Sequence, residues 1–231
     1  MAIPTLGEAG NLPTLLERLT STLDPLHLAF ELIVVDDDSR DGTEQIVQAA
    51  AQHDPRIRLL VRKGVRGLAG AVTYGWQHSD AAILGVMDAD LQHPPELLPD
   101  LWRAIQMGAD LAIASRYAPR GNRPNWNRFR HLISHLAIWT TWPLQRTGIR
   151  VHDPMSGFFL VRREVITGLD LQPQGFKILL EILVRGNVHA VKEVPFTFGH
   201  REAGRSKAGL RVGLQYLALL VRLWKRRSVA H

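Results

Sequence analysis

Cysteine is absent from the 231 residues, so neither disulfides nor thiolate metal sites organise this chain. No run of about 18 uncharged apolar residues occurs, which argues against a membrane-crossing helix. The N-terminus, MAIPTLGEAGN, lacks a basic segment followed by a long apolar stretch, so no signal peptide is legible. Internal repeats and low-complexity tracts are missing as well. What remains is 45% hydrophobic, enough apolar material for one full core with a small appendage. The net charge is +6, and its basic excess lies beyond Asp110. Four of the six tryptophans (Trp126, Trp139, Trp142 and Trp224) lie there too. A basic balance implies a polyanionic partner: nucleic acid, an anionic membrane or phosphorylated substrates.

Strand and helix signals alternate through the first hundred residues. MAIPT is a short strand, and Asn11 to Leu23 places Leu12, Leu15, Leu16 and Leu19 at helical spacing. FELIVVDDDS reads as a buried strand ending in acids, and Asp41-Gly42-Thr43 opens a helix to His53. IRLLVRK, AAILGVMDAD and ADLAIASR are further strands, separated by the helices GLAGAVTYGWQHS and ELLPDLWRAIQMG. Near-continuous apolar strands in this alternation predict an α/β fold with a mostly parallel central sheet and flanking helices. Such sheets bind ligands at the carboxyl ends of their strands, where VVDDDS and VMDAD both fall. Further along, DPMSGFFLVRREVI predicts a loop and strand, GFKILLEILVRG a helix and VKEVPFTFGHR a strand.

The acids need an explanation, because carboxylates are costly at the end of a core strand without compensating charge. Asp88, Asp90 and the amide oxygen of Gln92 form a hard oxygen donor set suited to Mg²⁺ or Mn²⁺ rather than zinc. An ion held there would bridge to a substrate diphosphate and neutralise leaving-group charge. The competing reading is a capped, solvated turn, since Asp is common wherever strands end. In the second cluster, Asp36-Asp37-Asp38-Ser39, one acid is suited to accept hydrogen bonds from a nucleobase or ribose. Capping of the helix at Thr43 is the alternative for that cluster. His131 and His135, four apart, lack a matching carboxylate for zinc. Gly64-x-x-Gly67-x-x-Gly70 lacks phosphate-loop spacing and reads as tight packing at a helix start. Glu181, in GFKILLE, could be a general base but is expected to pair structurally.

In this order, PTLGEAGN, VVDDDSRDGT, MDADLQHPP, ASRY, DPMSGFF, GFKILLEIL and the loop from Arg201 to Lys207 carry a resemblance over nearly the whole chain. The sequence resembles the dolichol- or polyprenol-phosphate mannosyltransferases, inverting family-two glycosyltransferases of the Rossmann-like GT-A fold. The resemblance implies transfer of mannose from GDP-mannose to a polyprenyl phosphate, with a UDP-hexose donor as the alternative. It implies that Asp88, Asp90 and Gln92 hold Mg²⁺ or Mn²⁺ on the donor diphosphate. Pro4, Glu8, Asp37 and Asp88 would line the donor site, with Arg201 and Lys207 on a loop closing over the diphosphate. Arg116, Arg130 and Ser134 would bind the acceptor phosphate, and Asp90, Arg116 and Arg130 would carry catalysis. An acceptor phosphate is already anionic, so positioning and charge compensation replace a general base. Where the family usually shows an aromatic-Asn pair before its first Glu, this chain has Leu6-Gly7.

Residues 1–206 are expected to form one GT-A domain, with 1–118 the nucleotide-sugar half and 119–206 the acceptor half. Residues 207–231 read as a basic amphipathic helix in which Lys207, Arg211, Gln215, Arg222, Lys225 and Arg226 share an arc of about 100°. A cationic edge that narrow suits a helix lying in a membrane interface, and the tryptophans point the same way. The expectation is a peripheral protein on the cytoplasmic face of the membrane, with an accessory membrane subunit as a further possible partner. A basic nucleic-acid-binding protein is the competing class, and it leaves Asp88 and Asp90 unexplained. An inactive lipid-binding subunit is a third reading, and the intact Asp88, Asp90, Arg116 and Arg130 speak against it.

Overall fold

The structure is a computed structural model that describes residues 1–118, 139–145, 148–171, 177–196 and 220–224. Seven strands form one sheet: β1 (Ala2–Thr5), β2 (Leu32–Asp36), β3 (Ile57–Val61), β4 (Ile83–Val86), β5 (Leu111–Ser115), β6 (Phe159–Arg162) and β7 (Val191–Pro195). Their order is β3-β2-β1-β4-β6-β5-β7. Every neighbouring pair is parallel except those of β6, which runs antiparallel to both β4 and β5. The expected mostly parallel sheet is therefore present, with one strand reversed.

Both faces of the sheet are covered, and this explains why the inner strands β1, β2, β4 and β5 are apolar without alternation. Successive residues still point to opposite faces. Ile3, Val34 and Phe158 pack in one cluster with α1 (Leu12–Leu23) and α4 (Leu98–Gln106), while Ala2, Val86 and Phe159 pack in the other. That second face is closed by α3 (Leu68–Gln77) and α5 (Ile178–Arg185). The α2 helix (Thr43–His53) lies on the first face, beside α1. α3 approaches closely because it is built from small residues: a Cβ on Gly75 would meet Val35 Cγ2 at 3.0 Å. Trp76, next along, buries its ring and donates from Nε1 to the Gly85 carbonyl (2.9 Å). The Gly67 reading is sharpened, since that residue caps α3 at φ 143°, a conformation only glycine adopts cheaply.

Phe159 is fully buried, and its ring meets Trp76 edge-on at 6.2 Å between centroids. Phe159→Ala is expected to cost about 3–5 kcal/mol through lost burial and a residual cavity. Denaturant unfolding checks this, with an unchanged slope showing that the fold persists.

Candidate active site

The sheet reverses its build-out between β1 and β4, and crevices at such points receive ligands. Met87 N donates to Ala2 O (3.2 Å), so the even-numbered residues of β1 face β4. Pro4 comes next on that side and has no N–H to extend the ladder. The pairing accordingly consists of Ala2↔Val86 alone. Past Val86 the chain leaves the sheet, so Asp88 and Asp90 sit in a turn beyond the strand rather than on the strand the sequence suggested. Asp90 Oδ1 accepts from Gln92 N (3.2 Å), and Leu91 between them is buried at φ 59°. A left-handed backbone is uncommon for leucine and clusters at functional turns.

Asp88 has the least ordinary setting in this group. Its Oδ1 is sealed from solvent and has no hydrogen-bond partner among the described residues. Burial and the neighbouring charge of Asp90 push its carboxyl up to about 7, while Lys177 and Arg116 pull the other way. The carboxylate lies flat against Gly157, where a Cβ would come within 2.8 Å of Asp88 Cγ. A buried carboxylate with one oxygen unbonded among the described residues, beside a second acid, offers hard oxygen donors that fit Mg²⁺ or Mn²⁺. Among the described residues no three His, Asp or Glu side chains converge as a metal cluster. Asp88 and Asp90 are the neighbouring acids that could hold such an ion.

Arg116 follows β5 and reaches the same region. Its N, Nε and Nη2 all donate to Asp153, at 3.1, 2.8 and 2.7 Å, in a bidentate pair with a fully buried carboxylate. Lys177 begins α5 and joins the group. Burial and the charge of Arg116 lower its pKa, and Asp88 and Asp153 draw it back up. His93 packs between Phe158 and Phe196, with its pKa pushed down to about 3 by burial and by Arg116, so it is neutral. Glu181, the possible base, is buried and bonded to Arg185 Nη1 at 2.5 Å, as the structural reading expected.

The second acidic strand end fixes the first loop. Asp36 bonds the backbone N (2.9 Å) and the hydroxyl of Ser39, and Ser39 Oγ accepts from Gly7 N (2.9 Å). Asp41 accepts from Ala9 N (3.1 Å) and holds Thr43 through both its backbone N and its hydroxyl. The capping of α2 anticipated for this cluster is therefore not found among Asp36–Asp38: Asp36 ties Ser39 instead, and Asp41 holds the start of the helix. Asp37 is buried, 2.9 Å from Arg62 Nε, and accepts from Gly67 N (2.7 Å). Glu8 lies on the loop so anchored, bonds Asn11 Nδ2 (2.7 Å), and is near enough to raise the pKa of Asp88.

Glu8, Asp88, Asp90, Gln92 and Arg116 are thus brought to one edge of the sheet. Pro4 lies beneath them in β1, and Asp37 stands at the end of β2. Arg130, Ser134, Arg201 and Lys207 lie outside the described residues, as do His131, His135, Trp126 and most of the C-terminal helix. Sequence reasoning assigned no role to Asp153, Gly157 or Lys177, although their motifs were singled out. The usable signal was a lysine directly ahead of an apolar helix and an acid beside the glycine-containing MSGFF.

The sequence profile described as glycosyl transferase family 2 matches residues 1–169. Dolichol-phosphate mannosyltransferase of Saccharomyces cerevisiae is 38% identical over 232 residues, covering 96% of this chain and 85% of that protein. The chain belongs to glycosyltransferase family 2. Its family-two relatives include dolichol-phosphate mannosyltransferase of Pyrococcus furiosus, 44% identical over 224 residues. That match covers 96% of this chain but 62% of the relative, so the chain spans less than two thirds of that protein's length. Polyprenol monophosphomannose synthase of Mycolicibacterium smegmatis is 36% identical over 214 residues, covering 89% of this chain and 78% of that protein. Among solved structures, glucosyl-3-phosphoglycerate synthase of Mycobacterium tuberculosis, in complex with Mn²⁺, UDP-glucose and phosphoglyceric acid, superposes with a TM-score of 0.68. It is 21% identical, with 98% of this chain and 78% of that one covered, and shows that the family-two domain here has the GT-A fold.

A raised carboxyl pKa has a definite sign. The folded metal-free protein binds the Asp88 proton more tightly than the unfolded chain does, so this group's contribution to stability falls as pH rises from about 4 to about 7. Asp88→Asn removes that contribution. The melting temperature of the variant minus that of the parent, both in chelator, should therefore grow across that interval. A difference independent of pH contradicts the assignment.

Proposed function

We propose that the protein transfers mannose from GDP-mannose to a polyprenyl phosphate with inversion at the sugar carbon. The observation that carries this reading is the buried Asp88 carboxylate, whose Oδ1 has no hydrogen-bond partner among the described residues, set beside Asp90 and within electrostatic range of Arg116 and Lys177. That arrangement suits a diphosphate donor and a phosphate acceptor meeting at one edge of the sheet. The names of relatives 36–44% identical to this chain support the choice of sugar and lipid.

Asp88, Asp90 and Gln92 would hold a Mg²⁺ or Mn²⁺ ion, which when bound supplies positive charge to the departing diphosphate. Pro4, Glu8 and Asp37 line the nucleotide side, and Arg201 and Lys207 close over the diphosphate. Arg116, oriented by Asp153, acts with Arg130 and Ser134 to place the lipid phosphate. One of its oxygens bonds to C1 as the bond from C1 to the nucleoside diphosphate breaks on the opposite face. The electron pair leaves with the diphosphate, and no proton has to be removed from the acceptor. Neutral His93 and paired Glu181 agree with a site that needs no general base.

The acceptor's lipid tail implies work at a membrane surface, which we place at the cytoplasmic face. Trp139, Trp224 and Val221 are 58%, 71% and 55% exposed, and Arg150 lies over the ring of Trp142. Exposed indoles beside cations suit a headgroup layer. Among the described residues no helix is long and apolar enough to cross a membrane. A UDP-hexose donor is the second reading, left open by Leu6-Gly7 where the family usually places an aromatic and Asn.

Purified protein with polyprenyl phosphate in vesicles, Mn²⁺ or Mg²⁺, and labelled GDP-mannose or UDP-glucose in parallel tests the proposal. Metal-dependent lipid-linked mannose is expected. Glucose transfer alone selects the second reading, and no transfer from either donor overturns both. Asp90→Ala should lower turnover at least 100-fold with the fold intact, which circular dichroism checks, as expected when a group acting in the transition state is removed. Arg130→Ala should chiefly raise the KM for the lipid phosphate, and an effect confined to GDP-mannose contradicts its role.

A further inference from the structure

Because β6 runs against β4 and β5, the loop entering it lies at their carboxyl ends. That loop, Asp153 to Phe158, is fastened from behind. Glu193 of β7 accepts from His152 N (3.0 Å) and Asp153 N (3.1 Å). Ser156 Oγ donates to Ala114 O of β5 (2.7 Å), and Ala114 N donates to Phe158 O (3.0 Å). On its front the loop touches both halves of the site. Asp153 grips Arg116 through three donors, and Gly157 presents a bare Cα to the Asp88 carboxylate. Gly157 is absent from the left-handed glycines, so it is there for clearance rather than for backbone conformation.

We infer that this loop is a brace that sets the position of Asp88 relative to Arg116, with Gly157 and Asp153 as its positioning residues. The missing side chain at position 157 leaves room for the Asp88 carboxylate to lie against the loop, with Oδ2 nearest the place a Cβ would take. Four residues earlier, the same rigid segment fixes the guanidinium. The distance between the cation-holding carboxylate and the acceptor-phosphate arginine is then a property of one short loop tied to β5 and β7. The role of Gly157 rests on the metal reading of Asp88 for its functional consequence, but the contact itself does not.

Gly157→Ala adds one methyl group and should weaken Mn²⁺ binding, read from the free-ion electron paramagnetic resonance signal, by roughly 10–100-fold, the range for residues that orient metal ligands. Asp153→Asn should leave Mn²⁺ affinity within a factor of about two while raising the KM for polyprenyl phosphate, since its partner is Arg116. The contact is tested without metal by a thermal double-mutant cycle in chelator. Gly157→Ala should lower the melting temperature of the parent by several degrees, yet change it little in an Asp88→Ala background, where the carboxylate is gone. If Gly157→Ala alone does not fold while the double variant does, the same coupling is shown. An equal loss in both backgrounds, or failure of both to fold, overturns the brace. Unaltered Mn²⁺ affinity in folded Gly157→Ala also overturns it. Failure of the parent to bind Mn²⁺, with the thermal coupling present, instead rejects the metal reading and leaves the contact standing.

Discussion

Everything at this sheet edge depends on one electrostatic problem: two carboxylates, Asp88 and Asp90, follow a strand whose last residues are buried among apolar neighbours. In a low-dielectric setting an isolated carboxylate protonates or finds a cation. The structure keeps Asp88 near that balance point by setting Arg116 and Lys177 close to it while one oxygen has no partner among the described residues. Asp153 matters because it ties down much of the Arg116 charge. That pair holds the guanidinium in place. Bidentate geometry is well suited to that, because it fixes direction as well as distance.

The reversal of β6 solves the positional half of the problem. A parallel strand in that place would put the loop before it at the opposite edge of the sheet. Running antiparallel, β6 brings DPMSG to the carboxyl ends of β4 and β5, tens of residues away in the chain. The other border of the crevice is built locally, since Ser39 and Asp41 hold the loop that carries Glu8. One side of the site is therefore made of sequence neighbours of β1 and β2, and the other of a long-range contact.

How much could be read in advance follows from that difference. Apolar runs ending in acids identified β2 and β4, and helical leucine spacing identified α1, because burial imposes those patterns directly. The pairing direction of β6 was not legible, since FLVR buried on both faces has the same composition in either orientation. The end of β4 was placed too late, because Met87 is as apolar as the strand before it and only the missing donor of Pro4 shows where the ladder stops. Asp88 and Asp90 could be singled out together because their spacing lies within one turn. Asp153, Gly157 and Lys177 could not be, because what each does depends on a partner that only the sheet topology brings near. Gly157 is the extreme case, since what it presents to Asp88 is the absence of a side chain.

Pro4 also has a mechanical meaning. The β4/β6 and β1/β2 seams each have four residue pairs, whereas the β1/β4 seam has one. Side chains carry that seam where the backbone does not: Ala2, Val72 and Trp76 pack in one cluster with Leu84, Val86 and Phe159. Asp37 and the Glu8 loop stand on one side of it, and Arg116 with Asp153 stands on the other. The crevice thus opens where the ladder is shortest and packing holds the sheet together, through an imino acid that lacks one hydrogen.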